Sequence, residues 1–182
     1  MNSKEVFFYS LFIVLISFNL SFSSEMRREE LFLKMDIRPV KGNTKAQNFC
    51  LEDLKGRKWY LKNLKGKVIF LNFWATWCGP CKEEMPSIET LYQQFKEKNF
   101  VFLTISVDYE GKKNVREFIE RRGYTFPVLL DPKCQVLDLY EVKEIPTTII
   151  IDKNGKMVGK AIGPRNWKNP EVFSLLTLFI ER

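Results

Sequence analysis

Cys78 and Cys81 stand two residues apart in the run Phe73-Trp74-Ala75-Thr76-Trp77-Cys78-Gly79-Pro80-Cys81-Lys82. Two thiols at this spacing support thiol–disulfide exchange: one thiolate attacks a disulfide sulfur, and the second resolves the mixed disulfide that forms. A static disulfide or half of a zinc site would use the same spacing, the zinc site only if Cys50 and Cys134 converge on the pair. The chain has four cysteines and no histidine. That absence removes the Cys–His nucleophile pair, the Cys2His2 zinc site and the haem axial histidine. Whatever chemistry occurs is thiol chemistry without imidazole.

Such chemistry needs a position that favours the thiolate, and the flanking patterns supply one. Lys67 to Trp74 is apolar at nearly every position, the pattern of a central strand buried on both faces. From Pro80 to Lys98 the residues Met85, Ile88, Tyr92 and Phe95 recur at helical spacing. Pro86 removes one backbone donor there and should kink the helix. Cys78 therefore falls at a predicted helix N-terminus, where unpaired N–H groups and the positive end of the dipole favour an anion. Lowering a thiol pKa from about 8.5 to about 7 needs roughly 2 kcal/mol, a size that helix termini reach in partly buried settings. Cys78 is thus the expected attacking thiol and Cys81 the buried resolving thiol. Glu84 lies three residues beyond Cys81 on the same helical face. It is placed either to exchange a proton with Cys81 or simply to complement the dipole, which Glu83 could do equally. Trp77 reads as part of the exposed rim and Trp74 as core.

The rest of the chain reads as one α/β domain with an N-terminal appendage. Residues 6–20 form an apolar run shorter than the roughly 20 residues that span a bilayer comfortably, which suits a signal-peptide core. Ser21 and Ser23 offer small residues for cleavage before Ser24. An uncleaved anchor is the other reading, although Arg27 and Arg28 on the far side fit an N-in anchor poorly. Residues 1–23 are thus signal peptide or membrane anchor, and either places the domain outside the cytoplasm. Residues 24–45 are charge-dense, with Leu31, Phe32 and Met35 at helical spacing, and read as a linker or one or two amphipathic turns. The domain is expected over 46–182. It opens with two short strands about Asn48–Leu51 and Lys58–Leu61, joined by a turn at Asp53–Gly56. A second buried strand spans Phe100–Val107, and a helix spans Lys112–Arg122, stopped by Gly123. A short extended segment, Pro127–Leu130, precedes a short helix opened by Asp131-Pro132. Ile145-Pro146-Thr147 leads into a strand to Asp152, Asn154-Gly155 marks a hairpin, and a last helix runs from about Asn169 to Glu181. Strands alternating with helices predict a mixed central sheet flanked by helices.

Composition adds exclusions rather than assignments. The formal net charge is +7, from 29 Lys+Arg against 22 Asp+Glu. The lysines are scattered and interleaved with glutamate, so the charge reads as a solvated surface and nucleic-acid binding has no specific support. No cofactor or metal is expected.

From Ala46 onward the sequence resembles the thioredoxin superfamily, specifically its exported TlpA/ResA-like branch. The resemblance rests on Asn72 to Pro86 around the cysteines, on Ile145-Pro146-Thr147-Thr148, and on the N-terminal hairpin with an extra strand–helix segment ahead of the Ile-Pro-Thr loop. It implies a thioredoxin fold and a redox-active Cys78–Cys81 disulfide. It further implies a cis Pro146 beside the cysteines, and a client surface formed by Trp77, Gly79, Pro80, Ile145 and Pro146. The thioredoxin position matching Asn72 carries a buried acid in cytoplasmic members; in this branch the task passes to an acid matched by Glu84. Copper-delivery relatives would be expected to use a histidine ligand, which is absent. Gly-Pro between the cysteines resembles reducing thioredoxins (about −270 mV) more than oxidising DsbA-like proteins (about −120 mV). The implied function is reduction of disulfides in exported proteins, apocytochrome c being a family-typical client, with a membrane thiol carrier as electron donor. Three rivals remain: an oxidase or isomerase using the same residues, a non-enzymatic client-binding module, and a thiol peroxidase. The last normally needs Pro-x-x-x-Thr-x-x-Cys, and Phe73 and Thr76 do not place Pro and Thr correctly. Cys50 and Cys134 are expected as unpaired, half-buried packing residues, although an oxidising compartment would permit a second disulfide.

Overall fold

The apolar run after Lys67 is the spine of the sheet because its side chains alternate between two cores. The computed structural model describes residues 23–42 and 44–181; the run 6–20, read above as export signal or anchor, lies outside them. In chain order the elements are α1 (23–34), β1 (Arg38–Pro39), β2 (Cys50–Asp53), β3 (Lys58–Tyr60), a 3-10 turn (Leu61–Leu64), β4 (Val68–Trp74), α2 (Gly79–Phe95), β5 (Phe100–Ser106), α3 (Lys112–Arg122), β6 (Val128–Leu130), α4 (Gln135–Leu139), β7 (Thr147–Ile151), β8 (Met157–Ile162) and α5 (Pro170–Ile180). Among the described residues no helix is long and apolar enough to cross a membrane.

The strands form one mixed sheet in the order β1-β8-β7-β4-β5-β6-β2-β3. β4 runs parallel to β5, and β5 to β6, while β7 pairs antiparallel with β4. Every residue of β4 is buried. Val68, Phe70 and Trp74 pack on the side of α1, α2, α3 and α5. Ile69, Leu71 and Phe73 pack on the other side, with Phe49, Val136 and Tyr140. The strand period of two therefore turns Asn72 toward α2. The expected N-terminal hairpin is β2–β3, and the extra strand–helix segment is β6–α4, whose strand pairs with β2.

Several boundaries follow local chemistry. α2 runs through Pro86 without a break and ends at Phe95, short of the expected Lys98. Gly123 ends α3 in the left-handed conformation at φ 68°. The Asp131 carboxylate accepts the N–H groups of Gln135, Val136 and Leu137, which starts α4.

Residues 24–45, expected as a linker, carry structure that packs on the sheet. Leu31, Phe32, Met35 and Ile37 are buried, β1 pairs with β8, and Phe32 meets Phe179 of α5 at 6.0 Å between ring centroids. Gly159 of β8 makes room: a Cβ there would lie 2.7 Å from Phe32 Cε1 and 3.0 Å from Ile37 Cγ2. The apolar face of α1 found a partner surface that its charge-dense surroundings did not advertise.

Candidate active site

β4 ends at Trp74, and the chain turns through Ala75–Trp77 to deliver Cys78 to the start of α2. Cys78 is the N-cap, and its Sγ accepts the Cys81 N–H at 3.2 Å. The two cysteines are joined in a disulfide, with Cα atoms 5.3 Å apart. Cys78 is 5% exposed and Cys81 fully buried, so a partner sulfur reaches only the first. Trp77 is 58% exposed beside them, and Gly79 and Pro80 are exposed on the first helical turn. Trp74 is core, as its place in β4 requires.

The second wall comes from the loop before β7. The Ile145–Pro146 peptide bond is cis, and Ile145 O lies 3.7 Å from Cys78 Sγ. In the disulfide that sulfur carries no proton, so this is a contact and not a hydrogen bond. Trp77, Val107, Tyr109, Leu137, Val142 and Ile145 line an open apolar groove of about 300 Å³ alongside. Cys134 contributes to the same groove. Cys134 and Cys50 are both free thiols. Cys50 is exposed on β2, not half-buried, because the hairpin turns that face outward.

Behind the disulfide, Glu84 is 3% exposed, one helical turn after Cys81. Asn72 Nδ2 donates to its Oε1 at 2.8 Å. The Arg165 N–H donates to Oε2 at 3.0 Å, and the Trp167 indole N–H to the same oxygen at 2.9 Å. Burial pushes the carboxyl up, and the donors on Trp167, Asn72 and Arg165 with the Arg165 charge pull it back, leaving it at about 7. Asn72 therefore orients the Glu84 carboxyl. Its second amide hydrogen goes to Thr148 Oγ1 at 2.9 Å, its cross-strand neighbour on β7.

The approach to Cys78 is held by Asp108, just past β5. This buried carboxylate accepts the Thr76 N–H at 3.0 and 3.1 Å, the Thr76 hydroxyl, and the Ser106 hydroxyl at 2.7 Å. Asp108, Arg165 and Trp167 are absent from the sequence-based expectation. An acid directly after a parallel strand is a detectable signal, since ligands and sites gather at the carboxyl ends of such strands. Trp167, 83 residues from Glu84, carried no local signal beyond its size.

A barely exposed cysteine at a helix N-terminus, disulfide-bonded to a fully buried partner on a thioredoxin fold, defines a thiol–disulfide oxidoreductase. The family model described as AhpC/TSA family matches residues 43–160, and the chain belongs to that family. It is 44% identical over 118 residues to the thiol-disulfide oxidoreductase ResA of Bacillus cereus (strain ZK / E33L), covering 65% of this chain and 68% of that protein. The chain thus spans about two thirds of that relative's length. Among solved structures, a thiol:disulfide interchange protein of Chlorobium tepidum TLS is similar at TM-score 0.66 and 27% identity, covering 78% of this chain and 99% of that one. StoA from Bacillus subtilis is similar at TM-score 0.62 and 26% identity, covering 73% and 99%.

Proposed function

We propose that this oxidoreductase works outside the cytoplasm as a reductant of disulfides in exported proteins, with Cys78 as nucleophile, Cys81 as resolving thiol and Glu84 as its proton partner. The observation that carries the reading is the buried Glu84 carboxyl, one turn from the buried Cys81 and poised at about 7. The apolar run 6–20 supports the location, and Gly79-Pro80 supports the direction. Trp77, Ile145 and Pro146, with the exposed Gly79 and Pro80, form the surface on which a client chain would lie.

The reduced enzyme begins with the Cys78 thiolate attacking one sulfur of a client disulfide. A bond forms between Cys78 and the client, and the other client sulfur leaves as a thiolate that takes a proton from water. Cys81 then passes its proton to the Glu84 carboxylate and attacks Cys78 Sγ. The Cys78–Cys81 bond closes and the second client sulfur departs as a thiolate, which takes up the proton that Cys81 gave to Glu84. Two electrons have then passed to the client, with one proton from Cys81 and one from water. A membrane dithiol carrier would return two electrons and two protons. Apocytochrome c, with its paired cysteines, is the client class favoured by the resemblance.

Cys81→Ser should accumulate stable mixed disulfides on Cys78 in cells, and recovering them names the client. No adduct on Cys78 under conditions that trap other exchange enzymes would sink the proposed attack order. A reduction potential near −120 mV instead of near −270 mV would reverse the direction and make the protein an oxidase. Peroxide turnover is not expected: counted back from Cys78, Leu71 and Ala75 occupy the Pro and Thr positions of the peroxidase pattern.

A further inference from the structure

Glu84 is held from two sides, and the second side is not part of the thioredoxin-type dithiol site. Asn72 comes from the central strand. The other two donors, the Arg165 N–H and the Trp167 indole, belong to one loop between β8 and α5. That loop is pinned to α2 by Ser87, whose hydroxyl accepts the Trp167 N–H at 2.9 Å. At its start, the Gly163 N–H donates to Pro146 O at 2.8 Å, which ties it to the Ile145–Pro146 loop.

The Arg165 side chain turns the other way. Its Nε donates to Met35 O at 3.2 Å, and its Nη2 donates to Asp36 O at 3.0 Å and Asp36 Oδ2 at 2.6 Å. Met35 and Asp36 form the turn that directly follows α1, where Asp36 takes the left-handed conformation at φ 50°. The last carbonyls of a helix lack intrahelical donors, and a guanidinium there satisfies them and complements the dipole. One residue thus gives its backbone N–H to the buried carboxyl and its side chain to the end of the N-terminal helix. The guanidinium is mostly buried, with 16% of the side chain exposed, while Asp36 is 86% exposed.

We propose that α1 is a working part of the redox site: docked on the sheet, it anchors Arg165, and Arg165 sets the position of the loop that holds Glu84. Arg165 is then a positioning residue, and protonation of Glu84, with the reactivity of Cys81, depends on α1 being seated. The proposal rests on Glu84 being the proton partner of Cys81. The groups around the carboxyl are few. Asn72 and Thr148 on the sheet do not titrate, Arg165 and Trp167 face it from the loop, and Cys81 precedes it on α2. Glu83 and Lys168 stand with it around an open cleft of about 460 Å³ that brings solvent to the loop. Freeing the loop withdraws two donors and a positive charge that favour the carboxylate, so the Glu84 pKa rises.

The test follows Cys81 alone in the full chain. The reduced protein is mixed with a chromogenic aromatic disulfide, and the two successive releases of aromatic thiolate are recorded against pH. The first release reports attack by Cys78, the second attack by Cys81 on the mixed disulfide. Arg165→Ala should move the midpoint of the second profile up by about 1 pH unit, the size of one lost charge-assisted hydrogen bond, and leave the first unchanged. Asp36→Ala and Arg165→Lys, milder changes at the surface, should move it in the same sense by less. If Asp36→Ala and Arg165→Lys both leave the second midpoint unmoved, α1 is a passive strut and the proposal is wrong, whatever happens to the melting temperature. Glu84→Gln separates the two readings. Loss of the pH step in this variant supports Glu84 as proton partner; a profile like the wild type's removes that foundation independently of α1.

Discussion

The Trp167 indole N–H donates to Glu84 Oε2 at 2.9 Å, joining two buried residues 83 positions apart in the chain. This bond and the two from Asn72 and Arg165 allow an acid to sit beneath the cysteines without a charged partner in direct contact. Burial still outweighs the donors, and the carboxyl titrates near neutrality.

That balance predicts a pH-dependent stability of the oxidised protein. The folded value is about 7 against an ordinary 4.5, so the native state binds the proton more tightly than the unfolded chain. The stabilisation is complete below about pH 4.5 and is lost as pH rises through 7. A shift of this size corresponds to about 3 kcal/mol. Denaturant unfolding from pH 4 to pH 8.5 should show this decline in the wild type and lose it in Glu84→Gln. An identical slope in both would mean that another group is responsible.

Asp108 should matter for the loop that presents Cys78. Asp108→Ala leaves the Thr76 N–H and the Thr76 and Ser106 hydroxyls without their acceptor, which should cost about 3 kcal/mol. Thr76→Val, which spares the backbone bond, should cost about 1 kcal/mol. Denaturation midpoints rank the two, and the attack rate of Cys78 on a small disulfide should fall more in the first. Equal stability for both variants and wild type would contradict this anchoring.

The two free thiols should be chemically distinct. Cys50 is exposed, whereas burial, with the Asp131 and Asp138 carboxylates, pushes the Cys134 thiol up and depletes its thiolate. Alkylation of the oxidised native protein near neutral pH, followed by mass spectrometry, should mark Cys50 well before Cys134. A Cys50–Cys134 cross-link would overturn this picture.

Gly159→Ala probes the seat of α1. The added methyl carbon would fall 2.7 Å from Phe32, and overpacking of this kind costs about 1–3 kcal/mol. Denaturation measures the loss. Proteolytic cleavage within residues 23–42 should rise alongside it, since the clash acts on α1. Unchanged stability would show that α1 shifts without penalty.

Local patterns carried much of the fold. The apolar run of β4 and the helical period after Cys81 made the strand–helix junction legible, and with it the N-cap position of Cys78. Asn154-Gly155 marked its hairpin and Gly123 the end of its helix. Residues 24–45 are legible only in part: Leu31, Phe32 and Met35 stand at helical spacing among charges that equally suit a tether, while the burial of Phe32 and Ile37 depends on Gly159, more than 100 residues away in the chain. Nothing local reveals a cavity that a distant glycine opens.

The sequence by itself narrowed the chemistry: two thiols at the start of a helix and no imidazole confine it to sulfur, with exchange the reaction that their spacing and helix-terminal position favour. It also placed an acid one turn beyond Cys81, because helical spacing is a local property. Only the tertiary structure decided what that acid is. Whether Glu84 is a solvated surface charge or a buried acid near neutrality depends on Asn72, Arg165 and Trp167, brought together from a strand and a remote loop. Burial and hydrogen bonding set a pKa, and both are made by segments that meet only when the chain folds.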